Sequence, residues 1–230
     1  MGMGIMAEIQ VYTQGWLCLL PPLAYLYGSA PFSYLLPKLL KGVDIRRVGS
    51  GNVGATNAAR VLGFRFFPLL LLLDLSKGLL PTLAAKLLVP AGPYDPAPLV
   101  VGTALGAMLG HAFPVYLGFK GGKAVATGSG VFLVLAPKAL LTAGVAWAVV
   151  FLAWRYVSLA SISAALMLPV CVWRLHPDPF GTGRCLLALS VLGGLFVIVL
   201  HRSNIRRLLA GTEHRIGRPR AEPPPSGKAS

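Results

Sequence analysis

Apolar residues in this chain come in long blocks, not at the spacing of an amphipathic helix or strand. Such blocks occupy residues 16–36, 66–88, 98–117, 124–154, 157–174 and 185–200, close to or above the roughly 20 residues that a helix needs to cross hydrocarbon. Short segments rich in Gly, Asn, Pro and basic residues separate them. No soluble domain fits in what remains, so the pattern predicts an all-α polytopic membrane protein over residues 16–215. It leaves an N-terminal extension (1–15) and a Pro-rich tail (216–230) with the composition of a disordered segment. The extension carries only Glu8 as a charge and has no Lys or Arg to begin a secretory signal, so the first apolar block is expected to stay in the mature protein.

Composition supports this reading. Of 230 residues 55% are hydrophobic and only 12% charged, with a mean hydropathy of +0.70, outside the range of soluble domains. Lys and Arg number 21 against 7 acidic residues, a net charge of +14. The basic residues lie between apolar blocks and form no single basic face, which argues against nucleic acid as a partner and for anionic lipid and anionic substrates. Cys18, Cys171 and Cys185 stand singly, without disulfide or metal-ligand spacing.

Charge also orients the chain. Lys41, Arg46, Arg47, Arg60 and Arg65 against Asp44 make the segment after the first block cytoplasmic, with the N-terminus outside. If block 124–154 crosses once, the basic stretch after Leu200 ends up outside, against the rule. If it turns near Pro137-Lys138, two short spans return Arg155 to the cytoplasm and the tail follows. The expectation is therefore about seven spans with a cytoplasmic C-terminus. About 31 residues make two thin spans, so a re-entrant pair is the alternative.

Under this topology three polar segments share the cytoplasmic side. The first, Ser50–Arg60, combines Ser50, Gly51, Asn52, Gly54, Thr56, Asn57 and Arg60; its glycines allow a concave nest of backbone N–H groups that suits a phosphate. It also mimics a dinucleotide fingerprint, Gly49-x-Gly51-x-x-Gly54 with Asp74 twenty residues on, but that motif needs a βαβ unit and Asp74 lies in an apolar run. The second, Gly110–Gly130, holds His111, then Lys120 and Lys123 flanking Gly121-Gly122, so two ammonium groups can converge on one anion; topology signalling is the plainer reading of the lysines, and helix packing that of His111. The third, His201–Arg215, sets His201 and Asn204 on one helical face, with Glu213 able to orient a basic group.

Within the spans, Asp74 and Lys77 at i, i+3 should pair. Ser158 and Ser161 open a span and can either cap its helix or face the site, capping being the preferred reading of Ser158. No H-x-x-x-x-D, G-x-S-x-G or H-E-x-x-H motif occurs. Neither a serine nucleophile nor a metal is called for, and no cofactor is expected.

At these three segments the chain resembles the bacterial acyl-phosphate:glycerol-3-phosphate acyltransferases, the PlsY family. S-G-N-x-G-A-T-N-x-x-R is met by Ser50–Arg60, G-H-x-F-P-x-[FY]-L-x-F-K-G-G-K-G-V-A-T by Gly110–Thr127 except at Ala124, and H-x-x-N-[IL]-x-R-L-x-x-G-x-E by His201–Glu213. The fragments D-x-x-K-G (Asp74–Gly78) and R-Y-V-S-L-G-S, with Ala160 in place of the last Gly, match too. The resemblance implies a seven-helix enzyme of the inner membrane that moves a fatty acyl group from acyl phosphate to the 1-hydroxyl of sn-glycerol 3-phosphate. Its products are lysophosphatidate and phosphate, the first acylation of phospholipid synthesis, on the cytoplasmic side. The catalytic set expected here is His201, Asn204, Ser161 and Lys123. Substrate binding falls to Ser50, Gly51, Asn52, Gly54, Thr56, Asn57, Arg60, His111, Lys120, Gly121, Gly122 and Glu213. An anion transporter and a lipid-phosphate phosphatase are the competing classes.

Overall fold

The computed structural model describes residues 15–91 and 95–217, and these contain helices and no strand. The N-terminal extension and nearly all of the Pro-rich tail lie outside the described residues. After a short turn (Gly15–Leu19) come α1 (Leu20–Gly28), α2 (Phe32–Lys41), α3 (Ala55–Leu62), α4 (Phe67–Leu88), α5 (Pro98–Ala112), α6 (Val125–Leu135), α7 (Pro137–Trp154), α8 (Val157–Leu175), α9 (Arg184–Leu200) and α10 (Arg202–Leu209).

Four stretches, Phe64–Leu88, Pro98–Leu117, Pro137–Trp154 and Val157–Leu175, are long and apolar enough to cross a membrane. A fifth arises if α9 and α10, bent by 58° at His201, count as one. The first apolar block is not one helix: the chain breaks at Ser29–Pro31, because proline disfavours helical geometry in the residue before it. Block 124–154 divides where Pro137 interrupts it, giving α6 and α7. At 11 residues α6 is about 16 Å long.

Lipid-facing helices gain nothing by burying leucine against leucine, so close backbone approach through small residues supplies the packing. Exposed Leu39, Leu72, Leu87, Leu141 and Leu152 on the outside agree with that. Within the bundle, Gly28 of α1 lies on the Ala107 carbonyl of α5, while Gly106 and Gly110 of α5 lie on the Pro21 and Tyr25 carbonyls of α1. Gly78 of α4 and Gly130 of α6 meet backbone carbonyls of the facing helix in the same way. A β-carbon at any of these glycines would collide with main chain.

The expected buried ion pair is present. Lys77 Nζ lies 2.7 Å from Asp74 Oδ1, both residues are buried, and Ser33 Oγ of α2 donates to Asp74 Oδ2 over 2.7 Å. Thr127 of α6 donates to the Asp74 carbonyl, so this charge pair ties α2, α4 and α6 together.

Candidate active site

Residues far apart in sequence meet around a cavity of about 520 Å³. Its polar end is lined by Ser50, Asn52, Gly54, Thr56, Asn57, Arg60, Lys123, Ser158, Ser161, His201, Asn204 and Glu213. Its other end runs down between helices past Leu71, Met108, Phe132, Leu140, Trp147 and Leu168.

The first residues of α3, α6 and α8, and His201 at the start of α10, all line this cavity, and no side chain caps any of the four helices. The free N–H groups and positive dipole ends of these helices therefore add to the charge of Arg60 and Lys123. An anion is the natural occupant of such a place.

The first loop owes its shape to Asn57. Its Nδ2 donates to the carbonyls of Ile45, Val48 and Asn52 at 3.0, 3.1 and 3.1 Å, and its Oδ1 accepts the Ser50 N–H at 3.2 Å. The side chain is 2% exposed. Its amide is thus committed to backbone, making it the staple of the loop more than a free ligand group. Gly49 at φ +61° leaves the space that Asn57 Oδ1 fills. Gly51, at φ +68°, turns the chain without lining the cavity.

The second loop folds back on the end of α5. Gly121 and Gly122 N–H donate to the Ala112 and His111 carbonyls at 3.1 and 3.0 Å, and a β-carbon on Gly122 would strike the His111 ring. This hairpin delivers Lys123 into the cavity while Lys120 stays exposed, outside the lining. The two lysines do not converge. His111 does line the cavity, with Nδ1 3.5 Å from Lys77 Nζ. Ala124, where the motif has Gly, takes φ +55° and is fully buried.

In the third segment His201 Nδ1 lies 2.8 Å from the Val197 carbonyl. A carbonyl only accepts, so Nδ1 carries the proton and the neutral ring offers Nε2 as an acceptor. Glu213 gathers its neighbours: Oε1 accepts from Asn204 Nδ2 at 2.8 Å and from Ser158 Oγ at 3.0 Å, and Oε2 accepts from Arg207 Nε at 2.7 Å. Ser158 is therefore no helix cap; α8 begins at Val157 without a side-chain cap, and the hydroxyl reaches across to Glu213. The Ile216 N–H bonds the Arg155 carbonyl, pinning this segment to the α7–α8 turn.

Burial lowers the Lys123 ammonium to about 8, with Glu213 opposing the shift and Arg207 and Arg60 adding to it. Burial likewise pulls Arg60 below its usual value. For Glu213, burial pushes upward, yet hydrogen bonds from Asn204, Arg207 and Ser158 leave it below the ordinary carboxylate range. A lysine with a weakened hold on its proton, a permanent guanidinium and oriented amides can grip and neutralise a phosphate ester.

Sequence reasoning missed Trp147, which lines the cavity and donates from Nε1 to Ser161 Oγ at 3.3 Å, and Arg207 as the partner of Glu213. Arg207 was signalled by an unpaired acid near a basic run. Nothing in the sequence signalled Trp147.

The family model described as glycerol-3-phosphate acyltransferase matches residues 18–211. Glycerol-3-phosphate acyltransferase of Desulforamulus reducens is 46% identical over 194 residues, covering 84% of this chain and 92% of that protein. The Synechococcus sp. protein of the same name is 48% identical over 200 residues, covering 86% and 94%. Among solved structures, the fold is similar to PlsY (YgiH), an integral membrane glycerol 3-phosphate acyltransferase, in its glycerol 3-phosphate form, with TM-score 0.81 and 41% identity over 88% of this chain and 96% of that one. Its lysophosphatidic acid form gives 0.78 and 39% over the same shares.

Proposed function

Because this chain belongs to the glycerol-3-phosphate acyltransferase family and is an integral membrane acyltransferase, we propose that its donor is acyl phosphate and its acceptor the 1-hydroxyl of sn-glycerol 3-phosphate. The products are lysophosphatidate and inorganic phosphate. In this reading the bundle crosses the inner membrane about seven times, the short α1 and α6 completing the count beyond the four or five longer spans, with its N-terminus outside and the cavity open to the cytoplasm. What supports this reading above all is the convergence of three separate segments on one cavity that is cationic at one end and apolar at the other.

Two phosphate-bearing substrates repel one another, and acyl phosphate is already activated as a mixed anhydride. The protein's task is then to hold both in register. Arg60, Lys123, Ser50 and the uncapped starts of α3 and α6 take the phosphates. The acyl chain lies along Leu71, Phe132 and Leu168. Ser161 donates to the reacting carbonyl and stabilises the charge that develops there. Asn204 and His201 orient the glycerol hydroxyl. That hydroxyl oxygen bonds the acyl carbon, the bond from acyl carbon to phosphate oxygen breaks, and the proton leaves with the departing phosphate. His201 Nε2 is the alternative acceptor of this proton.

Purified protein in detergent, given acyl phosphate and glycerol 3-phosphate, should form lysophosphatidate, while acyl-CoA in place of acyl phosphate should give none. Free fatty acid without ester would mark a phosphatase, and unchanged substrates a carrier. A His201→Asn enzyme that keeps turnover but binds glycerol 3-phosphate more weakly supports the substrate as base.

A further inference from the structure

Several serine and threonine hydroxyls in these helices turn back on the backbone of their own helix. Ser129 donates to the Val125 carbonyl at 2.9 Å, Ser163 to Leu159 at 3.0 Å and Thr103 to Leu99 at 2.8 Å, each four residues back. Ser161 is buried and lines the cavity, and it makes no such bond to the Val157 carbonyl. It accepts instead from Trp147 Nε1, across the α7–α8 turn. A serine hydroxyl has one proton and two lone pairs. With one lone pair held by an N–H that can only donate, and no backbone acceptor taken, the proton is left for whatever occupies the cavity. Trp147 is itself held, stacked on Phe151 with ring centroids 4.9 Å apart and planes inclined by 19°.

We propose that Trp147 is a positioning residue for the acyl transfer: its indole N–H fixes Ser161 Oγ so that the serine proton points into the cavity as a hydrogen-bond donor. The inference rests on the reading of Ser161 as the group that meets the acyl carbonyl. Without the indole N–H, Ser161 turns its proton to the Val157 carbonyl, as Ser163 does to Leu159, and the cavity loses its donor. Trp147 touches no reacting atom in this scheme and acts only through Ser161.

A double-mutant cycle tests it, with kcat and the KM for glycerol 3-phosphate measured separately in purified enzyme. Trp147→Phe keeps an aromatic ring against Phe151 and removes the N–H together with the second ring of the indole. It should lower kcat by about tenfold, the worth of one hydrogen bond, and leave KM within twofold. In a Ser161→Ala background the same change should cost nothing further. An equal loss in both backgrounds, or no loss in the wild type, overturns the proposal. Trp147→Leu, which likewise has no donor, serves as the second variant if the Phe enzyme does not hold its thermal midpoint, with the same outcomes expected. A Ser161→Ala enzyme with undiminished kcat would overturn the role of Ser161 itself, and the inference with it, whereas an impaired Ser161→Ala enzyme beside a normal Trp147→Phe enzyme overturns the inference alone.

Discussion

Asn204 gives its amide nitrogen to Glu213 over 2.8 Å, and its Oδ1 is buried without a partner. A carboxylate accepts only, so Glu213 dictates which way the amide faces. The oxygen is thereby kept as an acceptor beside the cavity, where a substrate hydroxyl can supply the missing donor. Glu213→Gln removes that dictation together with the charge-assisted bond to Arg207. It should lower kcat/KM by about 10- to 100-fold, the range of a lost charged hydrogen bond, in steady-state assays on protein that still elutes as a single species.

Lys123 should give the enzyme an alkaline limb. Its ammonium, lowered to about 8 by burial, is charged below that pH and neutral above it. The KM for glycerol 3-phosphate should therefore rise as pH climbs past about 8 and stay flat below. A bound phosphate dianion favours the charged form, so kcat at saturation should hold to higher pH than kcat/KM. Lys123→Arg keeps its charge throughout, and its pH profile should lose the limb even if its absolute rate falls.

At Asn57 the direction of the bonds matters more than their number. Asn57→Ala loses the staple, and thermal stability should fall by about 2–3 kcal/mol, as when buried backbone groups lose partners. Asn57→Asp should be worse, because a carboxylate faces the Ile45, Val48 and Asn52 carbonyls with no proton to give. Unfolding in detergent, with glycerol 3-phosphate binding read in parallel, tests the order Asn above Ala above Asp.

For Asp74 and Lys77, removing one partner strands a buried charge. Lys77→Met should cost about 3–5 kcal/mol of stability, and adding Asp74→Asn should restore much of it. If the double variant were as unstable as the sum of the singles, the coupling drawn from the 2.7 Å contact would be refuted.

Much of this arrangement was legible before any coordinates. The apolar blocks marked the helices, the charge balance called for a turn inside 124–154, and the helix does break there, between Leu135 and Pro137. The Gly-, Asn- and Lys-bearing motifs marked the segments that meet at the cavity, since a backbone that must approach an anion closely is written in short, local patterns. Contacts between helices are not local. The Trp147–Ser161 bond joins two positions in apolar runs that look interchangeable with their neighbours. Ser158 looked like a cap because its partner Glu213 is 55 residues away. Lys120 and Lys123 looked equivalent because the direction of each side chain depends on the Gly121-Gly122 fold against α5. The break at Ser29–Pro31 did have a signal, in Pro31, which the length of the apolar block masked.

The tether of the 213–217 segment to the α7–α8 turn sets an order of assembly. Glu213 and Ile216 are made after every other element of the bundle, yet Asn204 and Ser158 depend on the first and the Arg155 carbonyl on the second. On the proposed reading, a chain with all its long helices inserted but without this segment docked has no fixed acceptor for the glycerol hydroxyl. On that reading the site is complete only once this segment has docked, and a chain cut short before residue 213 should insert as a membrane protein without a working centre.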